Sequence, residues 1–181
     1  DIAGKPMIVR VYERAVQAKR VQDVVVATDD ERIRAAVAAH GGRAVMTRAD
    51  HATGTDRLAE VAEKMTEYDL IINVQGDEPL IDPAVIDALV APFLSDAALS
   101  MATVKTALAA EEDITNPNNV KVITDCAGNA LYFSRARIPY ARNPGAKVYK
   151  HIGIYAYRRD FLLAYARMEQ TPLELSESLE Q

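Results

Sequence analysis

"LIINVQGDEPLIDP", residues 70–83, changes character at Gln75. Leu70 to Val74 is an apolar, β-branched run of the kind that forms a buried strand. It runs straight into Gln75, Gly76, Asp77 and Glu78, with Pro79 behind. Asp82 and Pro83 then offer an N-cap and a first helical residue. Strand, acidic turn and capped helix make one β-to-α step, and the flanking sequence repeats the same grammar.

Apolar residues at helical spacing recur in four places: Met7, Ile8, Val11 and Ala15 behind Pro6; Ile33, Ala36 and Val37, ending at Gly41-Gly42; Leu58, Val61, Ala62 and Met65; and Ile86, Leu89, Val90 and Phe93. Between them lie "DVVVAT" at 23–28, "RAVMT" at 43–47, "LIINV" at 70–74 and "LSMATVKT" at 99–106. The alternation predicts an α/β fold with a mainly parallel sheet covered on both faces.

After about Glu111 the pattern changes. "NVKVITD" and "NALYFSR" alternate in steps of two around Gly128-Asn129, which predicts an antiparallel hairpin. "YKHIGIYAY" is a further strand, Phe161, Leu162, Tyr165 and Ala166 start another helix, and "ESLEQ" reads as helical. The expectation is one domain over 1–181, with a lobe at about 111–157 for sugar contacts and dimerisation.

Composition narrows the function classes. The 181 residues are 49% hydrophobic, enough for a substantial core. With 21 Lys and Arg against 26 Asp and Glu the net charge is -5, which argues against a binder of nucleic-acid backbone. Pro92 and Asp96 interrupt the best candidate for a membrane span, so no membrane role is expected. A single cysteine, Cys126, fits a reducing compartment and is a poor candidate for a nucleophile. Neither GxGxxG nor GxxxxGK[ST] is present, against a dinucleotide dehydrogenase or a P-loop kinase.

In an open parallel sheet, ligands gather beyond the carboxyl ends of the strands. Asp29 and Asp30 lie there, but capping of the next helix accounts for them. Asp77 has no such account, because Asp82 already caps the helix that follows. Asp77 is a hard oxygen ligand suited to Mg²⁺, and Gly76 lets the backbone come close to a ligand. In "HATGTDRL" the amides before a helix suit an anion or a base, although Thr55 or Asp56 serves equally as an N-cap and Arg57 as a solvated residue. Arg135, Arg137 and Arg142 form a cluster that either binds anions or is surface charge. His151, Gly153 and Tyr155 share one face of a strand, as a structural histidine or as a sugar contact. His40 and His51 have no comparable company.

In their order, "GKPMI", "VVVATDD", "TRADHATGTDRLAEV", "IINVQGDEPLI", "NPNNVKV", "ALYFSRARIPYAR", "KHIGIYAYRRDFL" and "TPLELSESLEQ" closely resemble the 3-deoxy-manno-octulosonate cytidylyltransferase family, essentially end to end. The resemblance implies a Rossmann-like nucleotidyltransferase, usually a cytoplasmic homodimer, which uses Mg²⁺ to join CTP and 3-deoxy-D-manno-octulosonate (Kdo) into CMP-Kdo and pyrophosphate for lipopolysaccharide. Carried over by motif, Asp77 is implied as the magnesium ligand, with Gln75 near sugar and nucleotide. Thr53 and Arg57 are implied in the cytosine and ribose pocket, and Arg135 on the nucleotide side. Arg142, His151, Tyr155, Glu180 and Gln181 are implied as sugar contacts. The family's phosphate loop is expected before residue 1 and its second metal-binding aspartate beyond Gln181; the stretch "NPGAKVYK" is shorter than the family's. The alternatives are a cytidylyltransferase for another 2-keto sugar acid, such as sialic acid or an 8-amino Kdo analogue, or an inactive fragment.

Overall fold

The computed structural model describes residues 1–143 and 145–179. The chain divides into two compact units, one of Asp1–Ala102 with Ile154–Arg167, the other of Thr103–Gly153 with the residues from Met168 on. In chain order the elements are α1 (Met7–Ala15), β1 (Val26–Thr28), α2 (Glu31–Ala39), β2 (Ala44–Met46), α3 (Gly54–Lys64), β3 (Leu70–Asn73) and α4 (Pro83–Ser95). Then follow β4 (Met101–Leu108), α5 (Glu111–Thr115), β5 (Lys121–Thr124), β6 (Ala130–Ser134), β7 (Val148–Arg158), α6 (Arg159–Tyr165) and α7 (Pro172–Glu177).

The first unit contains the four anticipated helices and the first three of the anticipated strands, β1, β2 and β3. On α4 the expected face, Ile86, Leu89, Val90 and Phe93, is buried, which stabilises the unit by roughly 1.5–3 kcal/mol per side chain. Asp82 accepts the Ala84 N–H at 2.9 Å, and Pro83 occupies the first turn. Asp30 caps α2 through the Arg32 N–H, as expected. α1 departs from its pattern: Val9, Val11 and Ala15 are buried, but Met7 is exposed. Beyond α2 the chain must pass close to Val37. A Cβ on Gly42 would lie 2.7 Å from Val37 Cγ1, so this position has no room for a side chain.

Parallel pairing is narrower than the alternation suggests. β1 and β2 are parallel, with Val26 opposite Ala44 and Thr28 opposite Met46. β3 instead runs antiparallel to the C-terminal half of β7, from Leu70 opposite Arg158 to Asn73 opposite Tyr155. The chain reaches β7 after its hairpin excursion and returns in the opposite sense, a direction that β-strand periodicity does not encode. Tyr155, Tyr157, Ala59, Ala62 and Leu162 form one buried cluster, so α3 and α6 pack on this part of the sheet.

The second unit carries the expected hairpin. β5 and β6 pair antiparallel, Lys121 opposite Ser134, with a register shift between Ile123 and Thr124. Asp125 organises the turn by accepting the Ala127 and Asn129 N–H groups, while Gly128 takes φ +92°. α5 was not legible in the sequence. The terminal helix is shorter than "ESLEQ" suggests: Thr171 and Glu174 form a capping box, and Ser178 ends α7 in the left-handed conformation with φ 50°.

Candidate active site

In the first unit, Asp29 directly follows β1, Thr47 directly follows β2, and Arg57 lies in the opening turn of α3. The Thr47 N–H donates to Thr28 O at 2.9 Å, which ties the two strand ends together. Arg57 Nη1 donates to Thr47 Oγ1 at 2.5 Å and stands 3.2 Å from Asp29 Oδ1. Arg57 is therefore a fixed guanidinium rather than a solvated side chain. Asp29, assigned to capping by the sequence, is its partner. Only Asp30 caps.

Thr53 is the N-cap of α3, in a box with Asp56: Thr53 Oγ1 accepts the Asp56 N–H and the Asp56 carboxylate accepts the Thr53 N–H, each at 3.1 Å. The caps considered from sequence, Thr55 and Asp56, yield to Thr53, whose hydroxyl lies two residues further upstream. The loop before it is held by Glu60, which accepts the Arg48 N–H at 3.0 Å, His51 Nε2 at 2.6 Å and Lys64 Nζ at 2.7 Å. Those partners, Lys64 first, hold the Glu60 carboxyl at about 2. His51 thus has company after all.

Beyond β3 the chain turns at Gln75–Glu78, where Glu78 N–H donates to Gln75 O. Gln75 and Asp77 are exposed. Among the described residues no ion pair or hydrogen bond engages the Asp77 carboxylate, and no cluster of three or more His, Cys, Asp or Glu side chains forms a metal cage. A solvent-facing carboxylate with no protein partner suits Mg²⁺, which keeps several waters and takes one or two carboxylates plus substrate phosphates. Tyr155 belongs to this unit, 9% exposed and stacked on Tyr157 with ring centroids 5.8 Å apart.

In the second unit, His151 on β7 meets Thr103 on β4: Thr103 Oγ1 lies 2.9 Å from His151 Nε2 and also donates to Ile152 O at 3.2 Å. The Thr103 hydroxyl therefore fixes the orientation of the imidazole ring. Phe133 packs edge-on against the ring at 4.7 Å. Burial pushes the His151 pKa down to about 4, so the ring is neutral near pH 7. Arg142 is exposed, and its N–H donates to Tyr140 O. Arg137 is exposed and paired with Glu111. Arg135 is occupied differently: its Nε donates to Glu177 O at 2.7 Å, and its two Nη atoms to Pro117 O and Ser178 O, each at 3.3 Å. Glu180 and Gln181 lie outside the described residues.

Strand-end acids, a clamped arginine and a capped loop-to-helix junction on an α/β scaffold make an arrangement that suits a nucleotide ligand. The model of the family described as "Cytidylyltransferase" matches residues 1–181, and the chain belongs to that family. A protein of Geobacter metallireducens named 3-deoxy-manno-octulosonate cytidylyltransferase is 53% identical over 193 residues, covering 100% of this chain and 76% of its own length. One of the same name from Syntrophotalea carbinolica is 54% identical, covering 99% and 76%. Among solved structures, a CMP:2-keto-3-deoxy-manno-octonic acid synthetase complexed with CTP matches with a TM-score of 0.94 at 51% identity, over 99% of this chain and 74% of that one.

Proposed function

We propose that this chain transfers CMP from CTP to Kdo, releasing pyrophosphate and supplying CMP-Kdo for lipopolysaccharide. The observation that carries this reading is the identity of about half of all residues, over the whole chain, with proteins named for that activity.

The chemistry is displacement at the α-phosphorus. The anomeric 2-hydroxyl oxygen of Kdo bonds to phosphorus, the bond from phosphorus to the pyrophosphate oxygen breaks, and the hydroxyl proton passes to solvent. Little covalent work falls to the protein; positioning and charge neutralisation dominate. Arg57, held by Asp29 and Thr47, and Thr53 serve the nucleotide. Asp77 would hold Mg²⁺, with Gln75 beside it; the bound ion supplies neutralisation of phosphate charge and a lowered hydroxyl pKa. Arg142 presents a planar fork to the sugar carboxylate. His151, neutral and held by Thr103, is assigned to sugar hydroxyls; Tyr155, Glu180 and Gln181 keep the sugar-binding roles that the family resemblance gives them.

We read the finer fold as the Rossmann-like nucleotidyltransferase arrangement, to which the parallel β1–β2 pair belongs. The protein acts as a cytoplasmic homodimer. No helix among the described residues is long and apolar enough to cross a membrane.

Purified protein with CTP, Mg²⁺ and either Kdo, 8-amino Kdo or sialic acid tests the substrate. The expected result is the highest kcat/KM with Kdo. A higher value with either other sugar overturns the assignment.

A further inference from the structure

Lys121, in β5, is 0% exposed and has no part in the chemistry above. Lysine is almost never buried so completely without partners. Its ammonium donates to Asn116 O at 3.0 Å and to Arg135 O at 2.5 Å. Desolvation lowers the Lys121 pKa, and the Glu177 carboxylate acts in the opposite direction to keep the charge. Glu177 grips the other side of the same residue: its Oε2 accepts the Arg135 N–H at 3.0 Å, while Oε1 accepts Ser134 Oγ at 2.7 Å and Tyr132 Oη at 3.1 Å. Those bonds hold the Glu177 carboxyl below its usual range, with the Arg135 N–H first among the causes.

Both peptide groups of Arg135 are thus fixed by side chains of opposite charge, 14 and 42 residues away in sequence. Arg135 is the first residue after β6 and opens the segment that leads to β7, and Arg142 lies on that segment. We propose that Glu177 and Lys121 are positioning residues, which fix the root of the loop that presents Arg142 to the sugar acid. Arg135 is part of this clamp: its guanidinium closes the loop from Glu177 by binding three backbone carbonyls, a task for which a planar fork suits and a lysine does not. The charges strengthen the clamp because hydrogen bonds to ionised groups exceed neutral ones, and removal of either partner leaves the other poorly compensated.

This inference rests on the assignment of Arg142 to the sugar acid. The test uses the full chain with Glu177→Ala, Glu177→Gln and Tyr132→Phe, read by steady-state kinetics and by amide hydrogen exchange over residues 134–136. Glu177→Ala is expected to raise KM for Kdo about tenfold, to leave KM for CTP within about twofold, and to speed exchange at Arg135. Glu177→Gln, which keeps one acceptor oxygen and loses the charge, recovers only part of the loss. Equal rises in both KM values, or unchanged exchange at Arg135, overturn the proposal. Should Glu177→Ala fail to fold, Tyr132→Phe removes one donor and gives a smaller shift in the same direction; no shift overturns it. If the unaltered protein makes no product with Kdo, the functional assignment fails, and the exchange data alone still decide whether the clamp exists.

Discussion

Arg57 and Asp29 meet at 3.2 Å, with Thr47 Oγ1 2.5 Å from the same guanidinium nitrogen, so one first-turn side chain joins the ends of β1 and β2. Asp29 remains 37% exposed, where an ion pair contributes little stability. Its consequence is orientation. Asp29→Asn is expected to change stability by less than ~1 kcal/mol while raising KM for CTP about fivefold or more. Chemical denaturation and CTP titration check this together. An unchanged KM returns Asp29 to the surface.

Asp77→Asn preserves shape and removes the charge that Mg²⁺ would meet. A kcat reduced at least ~100-fold is expected, with melting temperature and weak CTP binding preserved. Near-normal turnover of the variant at limiting Mg²⁺ removes Asp77 from the metal site.

Thr53→Ala breaks the capping box of α3 and is expected to cost about 1 kcal/mol, measured by urea denaturation. Thr53→Ser keeps the oxygen and recovers that stability. If Thr53 also serves the nucleotide, the alanine variant raises KM for CTP and the serine variant does not.

The lowered pKa of His151, at about 4, gives a pH signature. The unfolded chain binds that proton near 6.5, so the stability gained from the neutral ring is complete above about pH 6.5 and declines as pH falls toward 4. Between pH 7.5 and pH 5 the loss is roughly 2 kcal/mol. The depressed carboxyl of Glu60 acts lower, since its contribution is present above its ordinary value near 4.5 and is lost as pH falls toward 2. Urea midpoints of the unaltered protein and of His151→Gln at the two pH values isolate the histidine. A variant with the same pH slope contradicts a buried, neutral His151.

Local patterns carried most elements of the fold. The α4 face, the Asp82–Pro83 start, the Asp30 cap and the hairpin around Gly128 are set within a few residues and were legible. Strand direction was not, because β7 meets β3 across more than eighty residues. The site followed the same rule. Asp77 could be singled out because its neighbours already explained the cap. Asp29 could not, since its partner lies in another helix, and neither could Thr103, whose partner is 48 residues away. Lys121 read as one charge in an alternating strand, and only tertiary packing reveals that it is enclosed.

Phosphorus-31 NMR of a mixture of this protein, CTP, Kdo and Mg²⁺ tests CMP transfer most directly. A phosphodiester resonance and pyrophosphate should rise together in equal amounts, and neither should appear without Kdo. Pyrophosphate released without Kdo, or CTP left intact in the complete mixture, would contradict the account.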